Sequence, residues 1–193
     1  MDINAQFRAA GKVLVRFRVI DWRTACEVQR GGHFCGGALH AAHYPRKALG
    51  YVPHAEQEEE LRFSFCCDQE GCRRRVTPPS VRFLGRRVYW GLVVVLLSVA
   101  ASGTSRRQAA AASQLLGMAV SESTLARWSK WWQEEFPISP LWQRWAGLLE
   151  PGVDRLNLPQ VLLGRFGFPG KPEGLVALLE FLRPLTSTSC ERI

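Results

Sequence analysis

FSFCCDQEGCRRRVTPP, residues 63–79, combines three local signals. Phe63, Phe65 and Cys67 alternate with their neighbours, which is the period of a half-buried strand. Cys67 and Cys72 then bracket a short turn that contains a glycine, and zinc is commonly held by cysteine pairs on such turns. The two prolines at the end exclude a helix there. We therefore expect a small β module with a metal site that ends near residue 80.

A second cysteine-containing turn, RGGHFCGG at residues 30–37, supplies the other half of the expected site. Its glycines permit a tight turn around Cys35. Gly32 stands where a C-x-x-C turn would place its first cysteine, so this turn carries only one certain thiol ligand.

The fourth ligand has three candidates. His33 is preferred because it is nearest, while His40 would form a C-x-x-x-x-H pair with Cys35 and Cys26 would need its segment to fold back. Cys66 is an alternative to Cys67 as a ligand, but Cys67 is favoured because it is closer in the chain to Cys72. The predicted ligands of a structural zinc ion are His33, Cys35, Cys67 and Cys72, and the competing interpretation is that the cysteines are buried thiols.

The segments on either side predict the rest of the fold. KVLVRFRVI, residues 12–20, alternates apolar and basic side chains and predicts a further strand. Periodicity and breaking residues predict helices near residues 86–101, 105–116, 121–135, 139–149 and 173–183, with breaks at Gly103, Gly117, Pro137, Pro151 and Pro169. The expected class is α+β, mostly α. It comprises a zinc-ribbon-like module in residues 1–80, a helix-turn-helix domain in residues 81–150, and a C-terminal helical extension and tail in residues 151–193.

The helix-turn-helix prediction rests on residues 106–133. Ala109–Ala112 are small enough for close helix packing, Gly117 allows a turn, and Ser121 can cap the next helix. An ordinary helical hairpin is the alternative. The residues expected to contact DNA from the second helix are Ser123, Thr124, Arg127 and Lys130.

Five of the seven tryptophans lie between Trp128 and Trp145. Their spacing by three and four residues predicts core positions rather than platforms for unpaired bases.

Positive charge is concentrated in one part of the chain. The protein has 25 lysines and arginines against 17 acidic residues, yet residues 73–121 contain no aspartate or glutamate. Such a segment favours contact with phosphates. The arginines expected to make those contacts are Arg73, Arg74, Arg75, Arg82, Arg86, Arg87, Arg106 and Arg107.

The order of CGGALHAAHYPRK, the cysteine and arginine run, and the helix-turn-helix pattern resembles the N-terminal DNA-recognition part of bacterial insertion-sequence transposases and their small associated proteins. The resemblance covers roughly residues 30–135. It implies recognition of transposon ends or a similar duplex, with Cys35, Cys67 and Cys72 in the matching ligand positions. It also implies a transposase or recombinase as a further partner.

A nuclease core with three metal-binding carboxylates is not predicted. The acidic residues after residue 72 fall in helical or loop contexts, with no series of strands to build such a core. We therefore expect no enzymatic activity. The expected function is that of an accessory or regulatory zinc-stabilised protein that binds double-stranded DNA. The alternatives are a zinc-dependent protein-interaction module that does not bind DNA, and a catalytic subunit with nuclease or redox activity.

The N-terminus has no pattern of a secretory signal, so we expect a cytoplasmic protein. Val88–Ala101 is apolar but shorter than the roughly 20 residues of a membrane-spanning helix. It is predicted to be a buried core helix, without membrane association.

Overall fold

The computed structural model describes residues 14–46, 61–83, 105–116, 119–146, 157–167 and 171–186. The fold is mixed α+β and mostly helical, with two small antiparallel sheets, which confirms the predicted class at this level. The elements are α1 (Leu14–Gly31), β1 (Leu39–Ala41), β2 (Tyr44–Pro45), β3 (Leu61–Arg62), β4 (Phe65–Cys67), β5 (Arg75–Val76), α2 (Arg106–Leu116), α3 (Glu122–Lys130), α4 (Pro140–Ala146), α5 (Gln160–Arg165) and α6 (Pro172–Leu182).

The strand predicted over residues 12–20 is wrong, because residues 14–20 begin the long helix α1. Phe17 is fully buried, whereas Val19, which the strand pattern placed on the same face, is 41% exposed. Burial continues at Asp21, Thr24 and Ala25, which is helical spacing. Two of the buried residues, Asp21 and Thr24, are polar and follow the window of residues 12–20. The helical period of burial therefore does not appear in the hydrophobicity of that window.

The strands form two small antiparallel sheets. One has the order β1-β4-β5 and the other pairs β2 with β3. Leu39 lies opposite Cys67 across β1 and β4, and Cys66 lies opposite Arg75 across β4 and β5. The single strand predicted around Phe63–Cys67 is present as two short strands, β3 and β4, in different sheets. Phe63, Phe65 and Cys67 are buried as expected, but the neighbouring Arg62 and Ser64 are buried as well, so the strand is not half-buried. Phe63, Phe65 and Cys67 pack with Ala25 and Leu39 in a core of their own.

The helical part agrees with most of the predicted helices. Helices are present near residues 105–116, 121–135, 139–149 and 173–183, the second continuing as a π-helix over Trp131–Glu135. Pro137 lies in the 3-10 turn Phe136–Ile138. Helix α5 was not predicted. The helix predicted over residues 86–101 and the breaks at Gly103, Gly117, Pro151 and Pro169 lie outside the described residues.

The tryptophan cluster belongs to the larger core, as predicted. Trp128, Trp132 and Trp142 are buried there, together with Phe136. Trp145 is the exposed member of the group. None of the helices among the described residues is long and apolar enough to span a membrane, and Val88–Ala101 falls outside that part of the chain.

Buried polar contacts join distant parts of the chain. The carboxylate of Asp21 on α1 accepts hydrogen bonds from the Val81 N–H at 2.7 Å and from Nε of Arg82 at 2.8 Å. Arg62 Nη2 donates to the Pro78 carbonyl at 2.8 Å and to the Thr186 carbonyl at 3.1 Å. Contacts thus cross the boundaries drawn at residues 80 and 150, and the division into three ranges stays a prediction.

Candidate metal centre

The first ligand loop begins where α1 ends. Gly32 reverses the chain with a φ of +70°, and Gly36 does so again with a φ of +86°, a backbone region that favours glycine. The His33 N–H donates to the Gly37 carbonyl at 3.0 Å, and the Gly36 N–H donates to the His33 carbonyl at 2.8 Å. The loop is therefore closed by its own backbone, with the buried His33 and the exposed Cys35 two residues apart on it.

The second loop follows β4. Its first residue, Asp68, donates its N–H to the Ala38 carbonyl at 3.0 Å, which ties the two loops together. The Cys72 N–H donates to the Gln69 carbonyl at 3.0 Å, and Gly71 takes a φ of +82°. The predicted turn is present, and it returns the chain so that Cys72 faces Cys67.

The four predicted ligand atoms come together, all within 4.8 Å of one another. His33 Nδ1 lies 2.9 Å from Cys35 Sγ and 3.5 Å from Cys72 Sγ, and Cys35 Sγ lies 3.4 Å from Cys67 Sγ. Tetrahedral zinc, at about 2.3 Å from sulfur and about 2.0 Å from nitrogen, requires ligand separations of roughly 3.4–3.8 Å. These residues are close enough to hold a metal ion.

The alternative ligands are not members of this group. His40 is exposed, and its Nε2 lies 3.2 Å from the Asp68 carboxylate. The Cys66 thiol donates to the Arg73 carbonyl at 3.4 Å, away from its neighbour Cys67. Cys26 lies on α1 and is a free thiol. The structure thus favours His33 among the three candidates for the fourth position.

The two thiols at the centre differ in their acidity. Hydrogen bonds from His33 and from the backbone at Gly37 lower the pKa of Cys35 from 9.0 to about 6. Burial raises the pKa of Cys67 from 9.0 to about 11. Metal ions bind the thiolate form, so Cys35 is ready to bind at neutral pH while Cys67 must first lose a proton.

Three of the predicted phosphate contacts lie next to this centre. Arg73, Arg74 and Arg75 directly follow Cys72, and all three are exposed. The Arg74 guanidinium lies 5.7 Å from the centre of the Phe34 ring. Arg75 Nη1 donates to the Ala42 carbonyl at 3.1 Å, which holds this arginine against the sheet.

Arg82 is not available to phosphates, which corrects the prediction. Its side chain is fully buried and forms an ion pair with Asp21 at 2.8 Å. Arg82 Nη2 also donates to the Leu61 carbonyl at 2.8 Å. A run of arginines in the sequence does not reveal which member has a buried carboxylate as its partner. Arg86 and Arg87 lie outside the described residues.

Helices α2 and α3 pack through small and apolar residues. Ala109 and Ala112 are buried in the same core as Leu125 and Trp128. The predicted cap is present, because Ser121 Oγ accepts a hydrogen bond from the Thr124 N–H at 3.2 Å. Arg106 and Arg107 are exposed at the start of α2, and Arg106 lies 3.7 Å from the Glu122 carboxylate.

The predicted DNA-contacting residues of α3 divide into two groups. Ser123, Arg127 and Lys130 are exposed. Thr124 is buried, so its prediction as a base contact is wrong. Its hydroxyl instead accepts a hydrogen bond from Arg127 Nη2 at 3.1 Å, because the capped first turn directs this side chain inward.

Sequence reasoning missed two features of the site. A Cβ on Gly37 would lie 2.5 Å from Cys67 Sγ, so this position has room only for glycine. Phe34, between two ligands, is 54% exposed. The HFCGG pattern could have drawn attention to both residues. However, neither the contact of Gly37 with Cys67 nor the exposure of Phe34 follows from a local pattern.

Comparison with known proteins finds no matching family, and no similarity to a curated protein or to a solved structure.

Proposed function

We propose that this chain is a zinc-stabilised, sequence-preferring DNA-binding protein with an accessory or regulatory role and no nuclease core. The proposal is carried by one observation: three exposed arginines directly follow Cys72, a member of the candidate metal centre. We also propose a transposase or recombinase as a partner, and only the order of the sequence motifs supports this.

Zinc is the metal that suits the donor atoms. The group offers three thiols and one imidazole and contains no carboxylate. Sulfur and nitrogen donors favour zinc, whereas magnesium and calcium prefer oxygen. With all four positions taken by the protein, the ion has a structural role. It would hold the two loops in one arrangement.

Metal analysis tests this assignment. Purified protein is expected to contain one zinc ion per chain, and Cys72→Ser is expected to lose it. Cys66→Ser is the matched control, because this cysteine neighbours a ligand but lies outside the group. Folded wild-type protein without zinc, or equal loss in both variants, would refute the zinc site.

The three arginines are the proposed phosphate contacts, which do not read bases. They are adjacent in the chain and exposed; Arg75 lies in β5, and Arg73 has a backbone φ of +46°. Phosphate contacts by such side chains contribute affinity and salt dependence but no sequence information. This surface supports the gripping part of the proposed function.

Helix α3 is the proposed base-reading element. Counted together with the π-helical turn Trp131–Glu135 that continues it, the helix exposes Ser123 and Arg127 in its N-terminal half, while Leu125 and Trp128 fix the opposite face in the core. A recognition helix uses its N-terminal residues in the major groove in this way. Arg127 Nε also donates to the Ser123 carbonyl at 3.2 Å, so its guanidinium has a defined position.

The experiment is a duplex titration at two salt concentrations. Changing Arg73, Arg74 and Arg75 to alanine should weaken binding to all duplexes alike, and each lost phosphate contact should lower the slope of log affinity against log salt by about 0.9. Replacing Arg16, Arg23 and Arg30, three exposed arginines of α1, removes the same charge and is the matched control. Equal effects of both triple variants would show that net charge alone acts.

A zinc-dependent protein-interaction module is the second candidate. It is favoured by Val19 and Trp22, which are 41% and 57% exposed on successive turns of α1. An exposed aromatic beside an aliphatic side chain suits contact with a protein partner. Absence of binding to any DNA at low salt, with the zinc ion retained, would favour this candidate.

A further inference from the structure

Phe34 is an exposed aromatic side chain at the centre of the metal loop. Its neighbours in the chain, His33 and Cys35, are both ligand candidates, and the ring itself is 54% exposed. Single exposed apolar residues are common on proteins and need no function. Here, however, the residue lies on a loop that its own backbone hydrogen bonds and both flanking side chains hold in place. The backbone that carries the ring is therefore held by hydrogen bonds on both sides of it.

The ring has a positively charged neighbour. The Arg74 guanidinium lies 5.7 Å from the ring centre, and Arg73 is exposed beside it in the chain. The His33 ring lies 3.9 Å from the Phe34 ring at an angle of 42°, so the metal centre supports one side of it. Aromatic rings with adjacent arginines are the usual means of binding single strands: bases stack on the ring and cations hold the phosphates.

We propose that Phe34 is a stacking platform for an unpaired base of single-stranded DNA, with Arg73 and Arg74 on the neighbouring phosphates. The inference rests on the proposed function, since a bound metal has to hold the Phe34 loop and the arginines have to bind phosphate. A base inside a duplex has both faces covered by its neighbours. Phe34 therefore acts where strands are separated or at the end of a duplex, while α3 reads paired DNA.

The test compares full-length wild-type and variant proteins on three fluorescent DNAs. They are a single strand of about 12 nucleotides, which lies within the usual site size for such binding, the same strand with abasic linkers, and the corresponding duplex. The abasic strand keeps the phosphates but has no bases. Wild-type protein should bind the normal strand at least about fivefold more tightly than the abasic strand. Phe34→Ala should bind both strands equally, and Phe34→Trp should restore the preference.

Two controls accompany the variants. Trp22→Ala removes another exposed aromatic residue, 57% exposed on α1, and should keep the preference for the normal strand. The zinc content of Phe34→Ala is measured as well and should equal that of wild-type protein, because the loop stays intact without the ring. An RNA strand of the same sequence completes the set, because base dependence on RNA but not on DNA would overturn the assignment to DNA.

The outcomes separate this inference from the proposed function. Equal binding of wild-type protein to the normal and abasic strands, or a preference that persists in Phe34→Ala, overturns stacking, while the duplex titration is judged separately. Base-dependent binding of the single strand without duplex binding supports stacking and refutes the reading role of α3. Absence of binding to all three DNAs overturns both.

Discussion

At the scale of single residues, the metal centre depends on contacts of a few ångströms. Gly37 lies so close to the second loop that a Cβ atom would be 2.5 Å from Cys67 Sγ and 2.9 Å from Gln69 Cβ. Real Cβ atoms do not approach other atoms so closely, and a packed interior transmits the displacement. The absence of a side chain at residue 37 is therefore a condition for the position of the Cys67 sulfur.

We predict that Gly37→Ala weakens zinc binding, because the new methyl group displaces the Cys67 sulfur. Disturbing the support of a metal ligand commonly lowers metal affinity by about 10- to 100-fold, and we expect a loss in this range. Competition with a chelator of known affinity measures it. The control is Gly31→Ala, whose Cβ would have no neighbour within 4 Å. Equal zinc affinity in the two variants would contradict the close contact.

The unequal acidity of the two thiols predicts how many protons leave on metal binding. At pH 7.5 Cys35, with a pKa of about 6, is already a thiolate, whereas Cys67, with a pKa of about 11, carries its proton. Zinc binding should therefore release a proton from Cys67, and affinity should fall as the pH falls towards 6 because Cys35 then becomes protonated as well.

Proton release can be measured by titrating zinc in two buffers of different ionisation enthalpy. Cys67→Ser should release about one proton fewer than wild-type protein at pH 7.5, whereas Cys35→Ser should release nearly the same number while binding more weakly. A loss of one proton in Cys35→Ser instead would reverse the assignment of the two protonation states.

At the scale of elements, the two faces of α3 have different surroundings. Ser121 caps its N-terminus, and the buried Thr124 hydroxyl accepts from Arg127 Nη2 at 3.1 Å. Leu125 and Trp128 hold the other face in the core. The exposed face is thus presented by a helix whose position is fixed, which a reading helix requires.

We predict that Arg127→Ala costs on the order of 1–3 kcal/mol on the preferred duplex and much less on random DNA. The loss should appear in the ratio of the two affinities, because a base contact is removed while phosphate contacts remain. The preferred duplex is first selected from a random pool, and both affinities are then measured by titration. Arg144→Ala, an exposed arginine of α4, is the control. An unchanged ratio in Arg127→Ala would indicate an ordinary helical hairpin.

At the scale of the whole molecule, α1 connects the two cores. Phe17, near its start, belongs to the helical core, whereas Ala25, two turns later, belongs to the core of the sheet. Between them Asp21 is paired with Arg82 in a fully buried ion pair. A buried charge is expensive unless it is paired and hydrogen-bonded, so this pair strongly restricts how α1 and residues 80–83 can be arranged.

We predict that Asp21→Asn destabilises the protein by about 3–5 kcal/mol, because it leaves the Arg82 guanidinium buried without its counter-charge. Denaturant unfolding with excess zinc measures the free energy of unfolding. The control is Glu173→Gln, which removes the exposed partner of Arg16, paired at 3.4 Å, and should cost at most about 1 kcal/mol. Similar losses in the two variants would show that burial of the Asp21 pair contributes little.

The features that the sequence by itself determined are those set by neighbouring residues. The cluster of His33, Cys35, Cys67 and Cys72 could be predicted because metal loops need close donors and glycine turns, which are local patterns. Strand β4 and the Ser121 cap followed from alternation and from the hydrogen bond of a serine to the next turn, which are equally local.

The tertiary structure decided what depends on partners far along the chain. Residues 14–20 are helical because α1 has to bury Phe17 and Asp21 against segments that come much later. Arg82 is buried because it pairs with Asp21, which lies 61 residues earlier in the chain. A count of charges along the sequence treats both as surface residues. The exposure of Phe34 and the contact of Gly37 with Cys67 likewise arise only when the two loops meet, because no window of sequence contains both loops.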